Sequence, residues 1–279
     1  MRKTVIVTGA TGGIGHAIVR TLYSQGGFHI VATGRRMTKL LHLVDEIRTE
    51  YQSADSVIDT VEMDLSSVLS VRHAALSLKS CRIDCIINNA GQMPLRSTYI
   101  TSDGFEQTLQ VNCLSTLLFT RLLTDSVNPG GNIVFTTSVT RSLPRVRTDF
   151  VELARDAASP LMRFVNYGRS KQLLALYAQY MHARLQSRGI AVNCADPGVV
   201  DSGIISLGYP IVDWLADRCF RPFISSPSVG AGAAIAAMNA KGGDSLIYRH
   251  DGTTVAFDPR GPVQATVRRL ESVVDGLLI

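Results

Sequence analysis

The sequence predicts an α/β fold, a single doubly wound domain with a mostly parallel sheet and helices on both faces. Three observations carry this. β-Branched runs alternate with stretches of three- and four-residue apolar periodicity along the chain. A glycine-rich turn joins the first run to the first periodic stretch. No linker, repeat or low-complexity block interrupts the alternation, so residues 1–279 are read as one domain.

The elements follow in order. Lys3 to Val7 is a strand that suits burial on both faces, and it feeds into Thr8-Gly9-Ala10-Thr11-Gly12-Gly13-Ile14-Gly15. Ile14, Ala17, Ile18 and Leu22 then give an amphipathic helix that stops near Gly26-Gly27. The second strand, Phe28 to Ala32, runs into Thr33-Gly34-Arg35-Arg36, and a helix with Leu40, Leu43, Val44 and Ile47 leads to a third strand, Val57 to Glu62. A fourth strand, Ile83 to Ile87, ends in Asn88-Asn89-Ala90-Gly91. A long helix is expected from Asp103 to about Val127, with Asn128-Pro129-Gly130-Gly131 terminating it before a fifth strand, Asn132 to Thr136. Tyr167-Gly168-Arg169-Ser170-Lys171 is expected to open the next helix, and a sixth strand, Ile190 to Cys194, runs on to Asp196-Pro197-Gly198.

Composition narrows the function. The chain is 46% hydrophobic, 18% charged and has a mean hydropathy of +0.15, enough apolar material for a large core. Its net charge of +5 is scattered, which favours an anionic small molecule over a nucleic-acid face. Five cysteines, Cys81, Cys85, Cys113, Cys194 and Cys219, lie mostly in apolar stretches and read as buried free thiols. Neither they nor the six histidines show metal-ligand spacing, so no metal is expected. Met1-Arg2 passes straight into a strand and no apolar run is long enough to span a bilayer, so a soluble cytoplasmic protein without a transmembrane segment is expected.

The residues at strand ends carry the chemistry. Glycines in the first turn remove side chains that would hold a diphosphate away from the backbone, and the helix N-terminus offers its positive dipole end. After the second strand, where an acidic residue would bond a ribose 2′-hydroxyl, stand Gly34, Arg35 and Arg36; two arginines suit a 2′-phosphate, unless they only solvate a loop. Asp64, with Leu65 beside it, lies after the third strand, placed for adenine contact or as a helix N-cap. Asn112 is a polar residue inside an apolar helix, so it is either hydrogen-bonded or functional. Tyr167 and Lys171 lie four apart, on one helical face.

With these residues in view the chain resembles the short-chain dehydrogenase/reductase family over nearly its whole length. Thr8, Gly9, Gly13 and Gly15 fit that family's TGxxxGxG pattern, Asn88 to Gly91 its NNAG, Tyr167 and Lys171 its YxxxK, and Pro197-Gly198 its PG motif. The resemblance implies a Rossmann domain that binds NADP(H) through Thr8, Gly9, Thr11, Gly12, Gly13, Ile14, Gly15, Arg35, Arg36, Asp64, Leu65, Asn89, Ala90, Gly91, Tyr167, Lys171, Pro197, Gly198, Val200 and Ser202. It also implies a catalytic set of Asn112, Ser138, Tyr167 and Lys171. Tyr167 would be the acid/base, with its pKa lowered by Lys171 and the oxidised nicotinamide. Ser138 would bond the reacting oxygen, and Asn112 would support a water chain to Lys171. Ser202 stands where many relatives have threonine.

Twenty-eight residues separate Ser138 from Tyr167, and this longer stretch, including Arg141 to Pro160, resembles the retinol-dehydrogenase-like and WW-domain-oxidoreductase-like branch. Arg221-Pro222-Phe223 and Arg269 to Val274 agree with it. By analogy with that family the segment 199–228, rich in apolar residues from Ile204 to Ile224, would be a substrate lid, which predicts a small hydrophobic carbonyl or alcohol, unless these residues only cover the core, touch a second subunit or contact a membrane surface. Val263, Val267, Leu270, Val274 and Leu277 make 262–279 an amphipathic helix that buries its face either on its own domain or across a dimer. Homodimers or homotetramers are implied by the resemblance. The alternative is a catalytically silent NADP(H)-binding sensor or scaffold, against which the intact Asn112, Ser138, Tyr167 and Lys171 argue. A serine hydrolase is discounted because neither Ser138 nor Ser170 lies in a GxSxG elbow.

Overall fold

Among the described residues, seven parallel strands and one short antiparallel edge strand form the sheet, in the order β3-β2-β1-β4-β5-β6-β7-β8. They are β1 (Lys3–Val7), β2 (Phe28–Gly34), β3 (Val57–Glu62), β4 (Ile83–Asn88), β5 (Val127–Thr136), β6 (Ala191–Asp196), β7 (Ile247–Arg249) and β8 (Thr254–Val255). The helices are α1 (Gly13–Gln25), α2 (Met37–Glu50), α3 (Val68–Leu78), α4 (Gln107–Leu109), α5 (Ser115–Leu123), α6 (Phe150–Arg155), α7 (Pro160–Leu185), α8 (Pro227–Asn239) and α9 (Val263–Gly276). This computed structural model describes residues 2–52, 55–94, 97–198, 226–240 and 245–278. The expected lid from Ile204 to Ile224, with Val200, Ser202 and Cys219, lies outside the described residues.

Alternation along each strand feeds two cores. In β1, Val5 and Val7 face α1, α2 and α8, whereas Ile6 faces α3, α5, α7 and α9. β4 divides in the same way, with Cys85 and Ile87 on the first side and Ile83 and Ile86 on the second. Both faces are therefore covered, as an almost wholly parallel sheet requires. The strand order reverses between β1 and β4, and the crevice there opens beyond their C-terminal ends.

Three elements differ from the sequence expectation. The helix expected from Asp103 begins at Gln107 and passes through a π turn, Gln110–Leu114, centred on Asn112. Asn128 to Gly131 do not separate a helix from a strand; they lie within β5, which starts at Val127 and carries an irregularity in its pairing with β4. Tyr167 does not open a helix but lies two turns into α7, which begins at Pro160 after the Ser159 cap. Pro at the first position and a serine that accepts the Met162 amide make a strong start.

The amphipathic α9 buries Val267, Leu270 and Val274 in its own domain's core, against α5 and α7. Arg121 to Asp275 (2.7 Å) and Arg72 Nε to the Leu277 carbonyl (3.0 Å) fasten it there. Among the described residues no helix is long and apolar enough to cross a membrane.

Candidate active site

The turn after β1 is built by close approach. Gly9 has φ +65°, and a Cβ on it would lie 2.8 Å from the Ala90 Cα. At Gly15 a Cβ would lie 2.1 Å from the Gly9 carbonyl oxygen, so only glycine fits. Asn89 Nδ2 donates to the Thr8 carbonyl (3.0 Å), and the Ala90 amide donates to Thr8 Oγ1 (3.0 Å), which ties the ends of β1 and β4 together. The α1 N-terminus at Gly12 has no side-chain cap and no acidic residue in its first turn, leaving the amides around Gly13 and Ile14 for an anion. Arg35 and Arg36 are exposed at the end of β2, without side-chain partners among the described residues, and a Cβ on Gly34 would lie 3.5 Å from Thr11 Oγ1. An uncapped helix, a glycine cradle and two guanidiniums without partners among the described residues fit an anionic dinucleotide.

Asp64 does not cap α3; Ser67 does, accepting the Ser70 amide. Asp64 Oδ1 instead accepts from the Ser66 amide (2.9 Å) and hydroxyl (2.7 Å), while Leu65 beside it is buried. The cap of α2 comes from elsewhere in the chain, because Glu62 Oε2 accepts the Met37 amide at 2.8 Å. Gly198 follows β6 with φ +72° and donates its amide to Asp196 Oδ1 (3.1 Å).

Asn112, Ser138, Tyr167 and Lys171 come together from four different places: the π turn, the end of β5 and two successive turns of α7. Lys171 is buried and donates Nζ to the Thr136 carbonyl at 2.8 Å, with Nζ 5.8 Å from the centre of the Tyr167 ring. A Cβ on Gly91 would lie 3.1 Å from Lys171 Nζ and 3.4 Å from Asn112 Oδ1, so a larger residue there would crowd both. Asn112 uses its amide to accept from the Gln92 amide (2.8 Å) and to donate to the Gln92 carbonyl (2.9 Å) and Ser170 Oγ (3.1 Å). Ser170 in turn donates to the Tyr167 carbonyl (2.7 Å). The buried Asn112 thus holds the helix turn that carries Tyr167, at the kind of π bulge that recurs at functional sites. Ser138 Oγ accepts from the Thr140 amide (3.3 Å) and shares a hydrogen bond with the Tyr167 hydroxyl.

The electrostatics depart from the expected lowered tyrosine. Tyr167 is half-buried, yet protein surrounds its phenol closely and desolvation pushes it up to about 12; the Ser138 hydrogen bond works against that rise and the Asp196 carboxylate adds to it. Burial also pushes Lys171 down to about 8, so the protein's own groups favour neutral tyrosine and a weakly held ammonium. Four further residues shape the site: Ser170, Thr136, Arg141 and Asp196. Of these, Asp196 and Arg141 left a trace in the sequence, as charges set in otherwise apolar or turn-like surroundings. Ser170 and Thr136 are ordinary residues whose role comes only from packing.

Comparison with known proteins follows this geometry. Residues 3–148 match the family model described as short chain dehydrogenase. The chain is 33% identical to mouse polyprenol dehydrogenase over 254 residues, which covers 85% of this chain and 72% of that protein. It is 29% identical to human retinol dehydrogenase 12 over 282 residues, 99% of this chain and 86% of the relative. Among solved structures, a short-chain dehydrogenase from Sphingobium yanoikuyae in complex with NADPH superposes with a TM-score of 0.63 at 21% identity, covering 99% of this chain and 95% of that one. A 3-oxoacyl-[acyl-carrier protein] reductase from Brucella melitensis in complex with NAD superposes with a TM-score of 0.66 at 24% identity, covering 90% and 96%. The fold agrees with these matches: the chain belongs to the short-chain dehydrogenase family and is a dehydrogenase/reductase.

Proposed function

We propose that the protein transfers a hydride between NADP(H) and a carbonyl or alcohol carbon of a small hydrophobic substrate, with Tyr167 as general acid/base. The observation that carries this is the meeting of Tyr167, Ser138 and Lys171 at the crevice bordered by the Gly9–Gly15 turn. The chemistry that a bound nicotinamide supplies is hydride transfer. Ser138 orients the reacting oxygen beside the Tyr167 hydroxyl, and Tyr167 gives or takes its proton. Lys171, anchored on Thr136, holds the nicotinamide ribose and favours the phenolate. Asn112 keeps the Tyr167 turn in place.

Arg35 and Arg36 support the phosphorylated nucleotide, since two guanidiniums without partners among the described residues suit a 2′-phosphate. Of the similar solved structures, one is a complex with NADPH and another a complex with NAD, so the choice rests on these arginines. The hydrophobic substrate is supported by exposed Val139, Leu143 and Leu161, which flank Ser138 and the start of α7, and by relatives named for polyprenol and retinol. A panel of aliphatic, aromatic and terpenoid carbonyls assayed with NADPH tests the reading. Tyr167→Phe should lower turnover by roughly 10²–10⁴-fold while nucleotide affinity stays within about threefold. A fully active variant would refute Tyr167 as the acid/base, and no turnover on any carbonyl or alcohol would return the chain to a sensing role.

A further inference from the structure

Past the last main-chain bond between β5 and β6, two buried side chains take over the joining of these strands. The ladder runs from Asn132 with Ala191 to Thr136 with Ala195, and it closes with the Thr137 amide on the Ala195 carbonyl (2.8 Å). Ser138 and the Pro197-Gly198 turn lie beyond it, and among the described residues no main-chain hydrogen bond spans the two there. Arg141, 6% exposed, and Asp196, 1% exposed, bridge this gap. Arg141 Nη1 donates to the Ser138 carbonyl (2.7 Å) and to Asp196 Oδ2 (2.5 Å), while Asp196 Oδ1 accepts the Gly198 amide (3.1 Å). One unbroken path of hydrogen bonds therefore runs from Ser138 through the ion pair to Gly198.

The pair is itself held in place. Gln172 Nε2, from the residue after Lys171 on α7, donates to the carbonyls of Arg141 (3.1 Å) and Pro144 (2.6 Å). The guanidinium lies over the Phe257 ring, 6.0 Å from its centre, and the His250 amide donates to the Asp196 carbonyl (3.0 Å). A buried ion pair is a poor way to add stability, because apolar side chains of like volume often serve as well or better. What it adds is direction, since charge-assisted hydrogen bonds are short and fix the groups they join.

We propose that Arg141 and Asp196 are positioning residues, which set Ser138 at a fixed spacing from the Gly198 turn and so hold the ends of β5 and β6 in register for the reaction. This rests on Ser138 being the residue that orients the reacting oxygen. Small displacements matter there, because a misplacement of about 1 Å can cost roughly a hundredfold in rate.

The test neutralises both partners at once. Arg141→Met/Asp196→Asn leaves no lone buried charge and keeps an acceptor for the Gly198 amide. Amide hydrogen exchange, followed by NMR in the ligand-free protein, reads the two strand ends directly. Exchange should quicken by at least about tenfold at Gly198 and at position 141, whose amide donates to the Ser138 carbonyl, while Thr137 and Cys194 in the sheet stay within about threefold of the parent. With NADPH and a carbonyl that the parent reduces, kcat per nucleotide-binding site, counted by fluorescence titration, should fall by about 10–100-fold. Unchanged exchange at Gly198 and position 141 overturns the proposal, and so does a parent-like kcat. Equal quickening at all four amides, or a variant that does not fold, would make the pair a support of the fold as a whole and overturns it too. Should the parent reduce no carbonyl, the hydride-transfer reading falls, and exchange alone decides whether the pair sets the spacing of the two strand ends.

Discussion

At the end of β2, the proposed preference for NADP(H) rests on two side chains. Arg35 and Arg36 follow Gly34, which leaves room beside Thr11, and the nearest carboxylate on the neighbouring strand, Glu62, is already engaged by the Met37 amide. Nothing acidic is therefore placed to accept a ribose hydroxyl from β2 itself. Arg35→Asp should move the ratio of kcat/KM for NADPH over NADH toward NADH by at least about tenfold, because it trades a phosphate partner for a hydroxyl acceptor and a repulsive charge. Steady-state kinetics with both nucleotides check this, and an unchanged ratio would remove Arg35 from the nucleotide site. These arginines were legible in the sequence because they follow the second strand directly. The Ser170 contact to Asn112 was not legible, since its partner is 58 positions away and joins only when α7 packs on the π turn.

Among the elements, the β1–α1 turn shows how a motif divides into residues with different duties. Gly12 and Gly15 look alike in the sequence. A Cβ on Gly12 would sit in ordinary contact, 3.5 Å from the Gly9 carbonyl, whereas one on Gly15 would collide with that oxygen. Gly12→Ala should change stability by less than about 0.5 kcal/mol, while Gly15→Ala should cost about 1–3 kcal/mol and weaken nucleotide binding as the turn shifts. Denaturant unfolding and nucleotide titration of the two variants separate these outcomes; equal behaviour would mean that the turn tolerates a side chain at either place. The errors over α4, α5 and α7 share one cause. Helix boundaries there are set by a π turn held by Asn112 and by the Ser159 cap, both of which depend on neighbours rather than on apolar spacing.

For the whole molecule, the buried site has a cost that shows as pH dependence. Lys171 titrates near 8 in the folded chain and at 10.5 when unfolded, so between those values the unfolded state binds a proton that the folded state does not. Stability from this group therefore rises as pH climbs from about 8 to 10.5 and is lost as pH falls through 8. Tyr167 and Tyr177 run the other way: each is raised from 10 to about 12, so their contribution is complete below pH 10 and disappears between 10 and 12. Lys171→Met should be more stable than the parent chain at pH 7, with the difference shrinking by pH 10. Urea midpoints at pH 7, 8.5 and 10 measure it, and a difference that does not vary with pH would contradict a desolvated ammonium.

The sequence by itself determined the layered α/β plan, the glycine-rich turn and the paired arginines, and it named the four residues proposed for the site. Each of these depends on local patterning, on apolar period or on a short motif at a strand end. Tertiary structure decided what those residues do to one another. It placed α9 on its own domain, turned Asn112 into a clamp on the Tyr167 turn, and raised the tyrosine rather than lowering it. It also joined Arg141 to Asp196 across 55 positions. Desolvation and buried charge pairing are properties of a packed interior, and no stretch of sequence contains them until the sheet and its helices have closed around the site.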